Sequence, residues 1–113
     1  MGKLIPQSRH RVMCGDSTNA TIISALMGGE QVDLLITDPP YNVSYSGGAN
    51  SSEKRTIQND DMGDQEFRSF LGSAFSAAHE AMRPGAAFYI WHADSEGYNF
   101  RGALRDADLE VRQ

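Results

Sequence analysis

Asp38, Pro39, Pro40 and Tyr41 follow directly on the apolar run Val32 to Thr37, and their types and spacing could do chemistry. Each proline sets φ to about −65° and lacks an N–H, so neither a helix nor an inner strand continues through the pair. The corner therefore holds a carboxylate and a phenol just past a strand end. It also leaves the Pro39 and Pro40 carbonyls to accept hydrogen bonds. Acceptors beside a ring suit recognition of an amino group on a flat, stackable molecule. The competing account is an ordinary strand-ending turn. At average composition, however, these four letters arise in such a chain by chance roughly once in 10³ tries.

Other polar groups fall at similar places. Gly15-Asp16-Ser17-Thr18 closes a short apolar segment with residues that favour turns and helix caps. Trp91 and His92 close another; they either border a ligand pocket or form a core Trp beside a solvated His. Asp94 reads as a helix N-cap, and His79 as a cation near a helix C-terminus. Lys54 and Arg55 are solvated loop charges or phosphate contacts. His10, His79 and His92 have no metal-ligand spacing and Cys14 adds none, so no metal site is expected. Cys14, within an apolar strand, reads as a buried structural thiol, and a lone cysteine fits a reducing cytoplasm.

The elements that must position these groups alternate. Residues 1–9 are polar, basic and aperiodic, and read as a lead-in. Arg11 to Cys14 is a short strand. Ile22, Ile23, Leu26 and Met27 repeat at helical spacing, with Gly28-Gly29 as a stop. The run Leu34-Leu35-Ile36 suits a strand covered on both faces, as in a parallel sheet. Residues 42–62 form a long loop without apolar period, of a length that is usually functional or disordered. From Gln65 to Met82 the residues Phe67, Phe70, Leu71, Ala74, Phe75, Ala78 and Met82 draw one helical stripe. The acidic cluster Asp60, Asp61, Asp64 and Glu66 supplies charge for its N-terminus. Pro84-Gly85 ends that helix, and Ala86 to Trp91 is a third strand. Phe100, Leu104 and Ala107 mark a last helix to about Asp108, and Leu109-Glu110-Val111 could open a fourth strand.

This order predicts an α/β fold with parallel strands and right-handed crossovers. In open α/β sheets ligands bind beyond the carboxyl ends of the strands. Gly15-Asp16, Asp38 to Tyr41 and His92-Asp94 would then line one edge. The chain of 113 residues has no apolar run of transmembrane length and no signal-peptide pattern at its start. Its net charge of −5 opposes a phosphate-gripping surface, so any hold on nucleic acid must come largely from elsewhere.

Asp38-Pro39-Pro40-Tyr41 after an apolar strand resembles the catalytic motif of the S-adenosylmethionine-dependent amino-methyltransferases that modify DNA on exocyclic nitrogens. Gly15-Asp16-Ser17 resembles the Gly-Asp segment that precedes this motif in the permuted β-class enzymes. Asn59-Asp60, the Phe-bearing helix, Arg83-Pro84-Gly85 and the aromatic strand follow in the family's order, so the likeness spans roughly residues 10–110. It implies a partial Rossmann-like methyltransferase fold and S-adenosylmethionine as cofactor. Asp16 and Ser17 would lie on the cofactor side, and Asp38, Pro39, Pro40 and Tyr41 would be catalytic. Tyr41, Asn42, Tyr45, Trp91 and His92 would contact the substrate. Asp at the first motif position suggests adenine N6, because cytosine N4 enzymes more often carry Ser there. No Pro-Cys pair is present, so the covalent cytosine-C5 route lacks its nucleophile.

The sequence also departs from the family. Its glycine-rich cofactor motif and its target-recognition segment are absent. Residues 10–113 therefore read as the N-terminal part of a longer cytoplasmic methyltransferase, inactive alone, with DNA held through regions largely outside it. A homodimer of the full-length protein is left open, as is a companion restriction enzyme. Rival readings are cytosine N4, RNA or protein-amide methylation, and a non-catalytic module that binds a partner or a single strand.

Overall fold

The computed structural model describes residues 3–7 (backbone only), 9–40, 42 and 62–112. Chain order is β1 (Lys3–Gln7), β2 (His10–Cys14), α1 (Ala20–Met27), β3 (Val32–Thr37), α2 (Asp64–Ala81), β4 (Met82–Ile90), a 3-10 turn (Asp94–Glu96) and α3 (Gly97–Asp106). This is a mixed α/β arrangement in which β3 and β4 pair in parallel. No described helix is long and apolar enough to cross a membrane.

The helices begin and end where local chemistry dictates. Asn19 caps α1, its side chain accepting from the Thr21 N–H at 2.9 Å. Gly28 ends it at φ 58°, a left-handed conformation that glycine adopts without steric cost, and donates to Ser24 O. The Arg11 guanidinium adds bonds to the last carbonyls, Leu26 O at 3.1 Å and Met27 O at 2.8 Å, tying β2 to α1. In α2, Asp64 and Glu66 occupy the first turn and His79 the last, each matching the helix dipole. Phe67, Leu71 and Phe75 recur every fourth residue and are buried, as the stripe predicts. Ala77 is buried too, outside that stripe.

The core forms where α2 and α3 pack on one face of the β3–β4 pair. Phe67, Leu71 and Phe75 meet Phe100, Ala103 and Leu104, with Leu35, Phe88 and Ile90 packed beneath. Phe67 and Phe100 meet edge-on, centroids 5.7 Å apart, a favoured aromatic geometry. Buried Asn99 joins the helices, donating to Glu96 Oε2 at 2.8 Å and Asp64 Oδ1 at 3.3 Å. Arg68 and Asp106 add a surface ion pair between α2 and α3.

Several expectations need correction. The lead-in is partly a strand: β1 pairs antiparallel with β2 in the register Gln7↔His10 to Lys3↔Cys14. β2 therefore lies in a separate two-stranded sheet and not in the parallel one. Cys14 is exposed there, not buried. Pro84-Gly85 does not separate helix from strand. β4 starts at Met82, and residues 83–86 bulge opposite Asp33, with Gly85 at φ 79° and Arg83 Nε bonded to Asp33 Oδ1 at 2.8 Å. Asp94 opens the 3-10 turn without a capping bond, and Ala93 takes the N-cap position. Residues 109–111 form no strand, and Asp108 just before them adopts φ 61°. Finally, β3 is covered on one face only among the described residues. Leu34, Ile36, Tyr89 and Trp91 remain 49–61% exposed, since side chains alternate and the helices meet only the other set.

Candidate active site

Thr37 pairs with Ile90 at the carboxyl end of β3 and β4, and the Trp91 N–H donates to Thr37 O at 3.2 Å. Asp38-Pro39-Pro40 and Trp91-His92 thus leave the sheet side by side, on neighbouring strands about 4.8 Å apart. Two of the three polar clusters predicted from sequence share this edge. The third, Gly15-Asp16, ends β2 on the separate sheet, and the strand order does not bring it alongside.

Asp38 is exposed, while Pro39 and Pro40 are half-buried. The ladder bond from Trp91 anchors the entry of the corner. Its exit is anchored differently. Asn42 adopts φ 60°, which Asn tolerates better than most side chains, and its carboxamide joins the Met62 backbone. Nδ2 donates to Met62 O at 2.9 Å, and Oδ1 accepts the Met62 N–H. Asn42, expected to touch substrate, is thus bound to Met62, twenty positions further along the chain. Tyr41 and Tyr45 lie outside the described residues, as do Lys54, Arg55, Asn59, Asp60 and Asp61.

Trp91 is 55% exposed, which excludes the core-Trp account. His92 is also exposed, yet its ring lies 5.2 Å from that of Phe100, and Nδ1 is 2.9 Å from Ala93 O. The core thereby supports one flank of the edge through the contact of Phe100 with His92. A cleft of about 1020 Å³ lies between β4, α3 and residues 108–112, lined by Phe88, Ile90, His92, Leu104 and Leu109. It shares His92 with the edge, but Asp38 is not among its walls.

Asp16 and Ser17 are exposed. Asp16 Oδ1 accepts from Thr18 Oγ1 at 2.7 Å and from Thr18 N at 2.9 Å. The hydroxyl bond first, then the backbone bond, hold this carboxyl below its ordinary pKa against a small opposing effect of burial. Asp16 therefore closes its own turn, and the true cap of α1 is Asn19, which sequence reading passed over. The signal was there: Asn immediately before an apolar-periodic segment. No three His, Cys, Asp or Glu side chains gather as a metal-binding group among the described residues.

Comparison with protein-family models, with curated proteins and with solved structures gives no match.

Proposed function

We propose that this chain carries the amine-recognising part of an S-adenosylmethionine-dependent methyltransferase acting on adenine N6 in DNA. The sheet would be Rossmann-like, with β3 and β4 its described strands, and the full enzyme would be longer than this chain. One observation carries the reading. Asp38-Pro39-Pro40 stands at the carboxyl end of a parallel strand, with the backbone of Trp91 bonded beside it. That is where an α/β sheet presents ligand-binding groups.

An adenine amino nitrogen is a weak nucleophile because its lone pair is delocalised into the ring. Asp38 and the Pro39 carbonyl each accept one N–H bond, which draws the nitrogen toward tetrahedral geometry and takes its lone pair out of conjugation with the ring. As the N–C bond forms, positive charge grows on nitrogen, and the Asp38 carboxylate stabilises it. The extra proton then leaves to water, so Asp38 need not be a strong base. Tyr41 stacks on the base, which must leave the duplex to be reached. The methyl donor, when bound, supplies an electrophilic sulfonium carbon and departs as a neutral thioether. This chain fits that donor only in part. Asp16 is an exposed carboxylate suited to a hydroxyl or ammonium group, but the described strands do not place it beside Asp38. No step is assigned to Asp16.

Radiolabelled methyl donor, full-length protein and adenine-containing DNA test the reading. Asp38→Asn keeps the shape and loses the charge, and is expected to lower kcat about 10²–10³-fold. Label on cytosine, RNA or protein would redirect the substrate. Transfer to adenine at the wild-type rate by Asp38→Asn, or no transfer to any acceptor, refutes the mechanism.

A further inference from the structure

We propose that Asn42 is a positioning residue that holds the Asp38-Pro39-Pro40 corner against the helical core, a role that rests on reading the corner as the reacting site. The corner is secured at its entry by the ladder, through the Trp91 N–H to Thr37 O bond. At its exit the Asn42 carboxamide takes both the carbonyl and the N–H of Met62, as a neighbouring strand would. Met62 is not a loose partner. Its side chain packs against the buried cluster of Phe67, Leu71 and Phe100, and α2 begins at Asp64, two residues on. One path from core to corner thus runs through Met62 and the Asn42 amide.

Between the two anchors lie only residues 38–41, two of them prolines with φ already set. The prolines leave the segment few soft torsions, so holding its ends restricts the Asp38 backbone. Releasing the exit frees residue 42 and loosens the backbone that leads back from it to Pro40. A reacting geometry displaced by about 1 Å loses on the order of 10² in rate, whereas binding of a separate donor is untouched. Asn suits the task twice. Its planar amide carries a donor and an acceptor together, and it tolerates the left-handed backbone that residue 42 adopts.

Two variants of the full-length protein test this. Asn42→Gly keeps the left-handed conformation and removes the amide. Asn42→Asp keeps an acceptor for the Met62 N–H and loses the donor to Met62 O. Expected is a fall in kcat of about tenfold to a hundredfold for Asn42→Gly, a smaller fall for Asn42→Asp, and an unchanged KM for the methyl donor. Amide resonances give a readout independent of turnover. Met62 N–H should be protected from exchange in the wild type and lose protection in Asn42→Gly, and the Asp38 amide shift should move with it. An unchanged kcat in Asn42→Gly overturns the proposal, as does an unprotected wild-type Met62 N–H. If the wild type methylates nothing, the reaction reading fails separately. The Asp38 shift then decides the clamp: movement in Asn42→Gly sustains it and constancy overturns it. Should Asn42→Gly not fold, the same measurements on Asn42→Asp decide.

Discussion

Phe100→Ala is the substitution that most directly probes how the core holds the strand-end edge. Phe100 is 1% exposed and touches three rings: Phe67 at 5.7 Å, Phe75 at 6.2 Å and His92 at 5.2 Å between centroids. Burying a phenyl side chain removes about 150–250 Å² from water, a gross gain of about 4–6 kcal/mol at 25 cal/mol per Å². Partial collapse of neighbours around the void brings the cost of Phe→Ala to about 3–5 kcal/mol. That is a large share of the roughly 5–15 kcal/mol by which a domain is ordinarily stable. Phe100→Leu refills most of the volume and loses mainly the ring geometry, so about 1–2 kcal/mol is expected. Urea unfolding followed by far-UV circular dichroism measures both. With a slope of about 2 kcal/mol per molar, Phe100→Ala moves the midpoint down by roughly 2 M. Trp91 is the single tryptophan and sits one residue from His92, so its fluorescence reports the edge at the same time. A loss below about 1 kcal/mol for Phe100→Ala would refute the assignment of Phe100 to the core and its support of His92.

Ile36 lies mid-strand in an apolar run yet is 61% exposed, so Ile36→Lys should cost less than about 1 kcal/mol by chemical denaturation. A cost near 3 kcal/mol would show that this face is covered in the folded protein. Thr18→Val removes the hydroxyl bond that contributes most to lowering the Asp16 pKa, and the Asp16 carboxyl should titrate closer to its ordinary value in a carbon-detected NMR titration. The sign follows from linkage. A carboxyl lowered in the folded state stabilises the fold above its unfolded pKa, and that stability is lost as pH falls through the lowered value. The variant should therefore show a smaller acid-dependent loss, and an unchanged Asp16 titration would contradict the assignment of that lowering to the Thr18 hydroxyl.

Periodicity and punctuation carried much of this fold in plain view. The stripe Phe67, Leu71, Phe75 repeats with the helical period, so α2 is legible from spacing alone. Gly28 marks the end of α1, because few other residues enter the left-handed region cheaply. The Asp38 corner after β3 is legible too, since two prolines forbid continuation whatever surrounds them. The bulge at Arg83 to Ala86 is a half-read case: Pro-Gly announced an irregularity, but only pairing with β3 shows that it interrupts a strand.

Other features depend on partners distant in the chain. Lys3 to Gln7 has no alternation of its own and becomes β1 because β2 offers it a ladder. Cys14 is exposed for the same reason, being carried on that hairpin. An apolar run such as Leu34-Leu35-Ile36 states that burial is favourable, but not which face finds cover; here α2 and α3 meet Leu35 and leave Leu34 and Ile36 outside. The join of Asn42 to Met62 is invisible to any local pattern, since twenty positions separate the two. Local conformational preferences act within a few residues and can be read one letter at a time. Burial and non-local hydrogen bonds are settled only when separate segments occupy the same space, and those contacts hold the Asp38 corner in place.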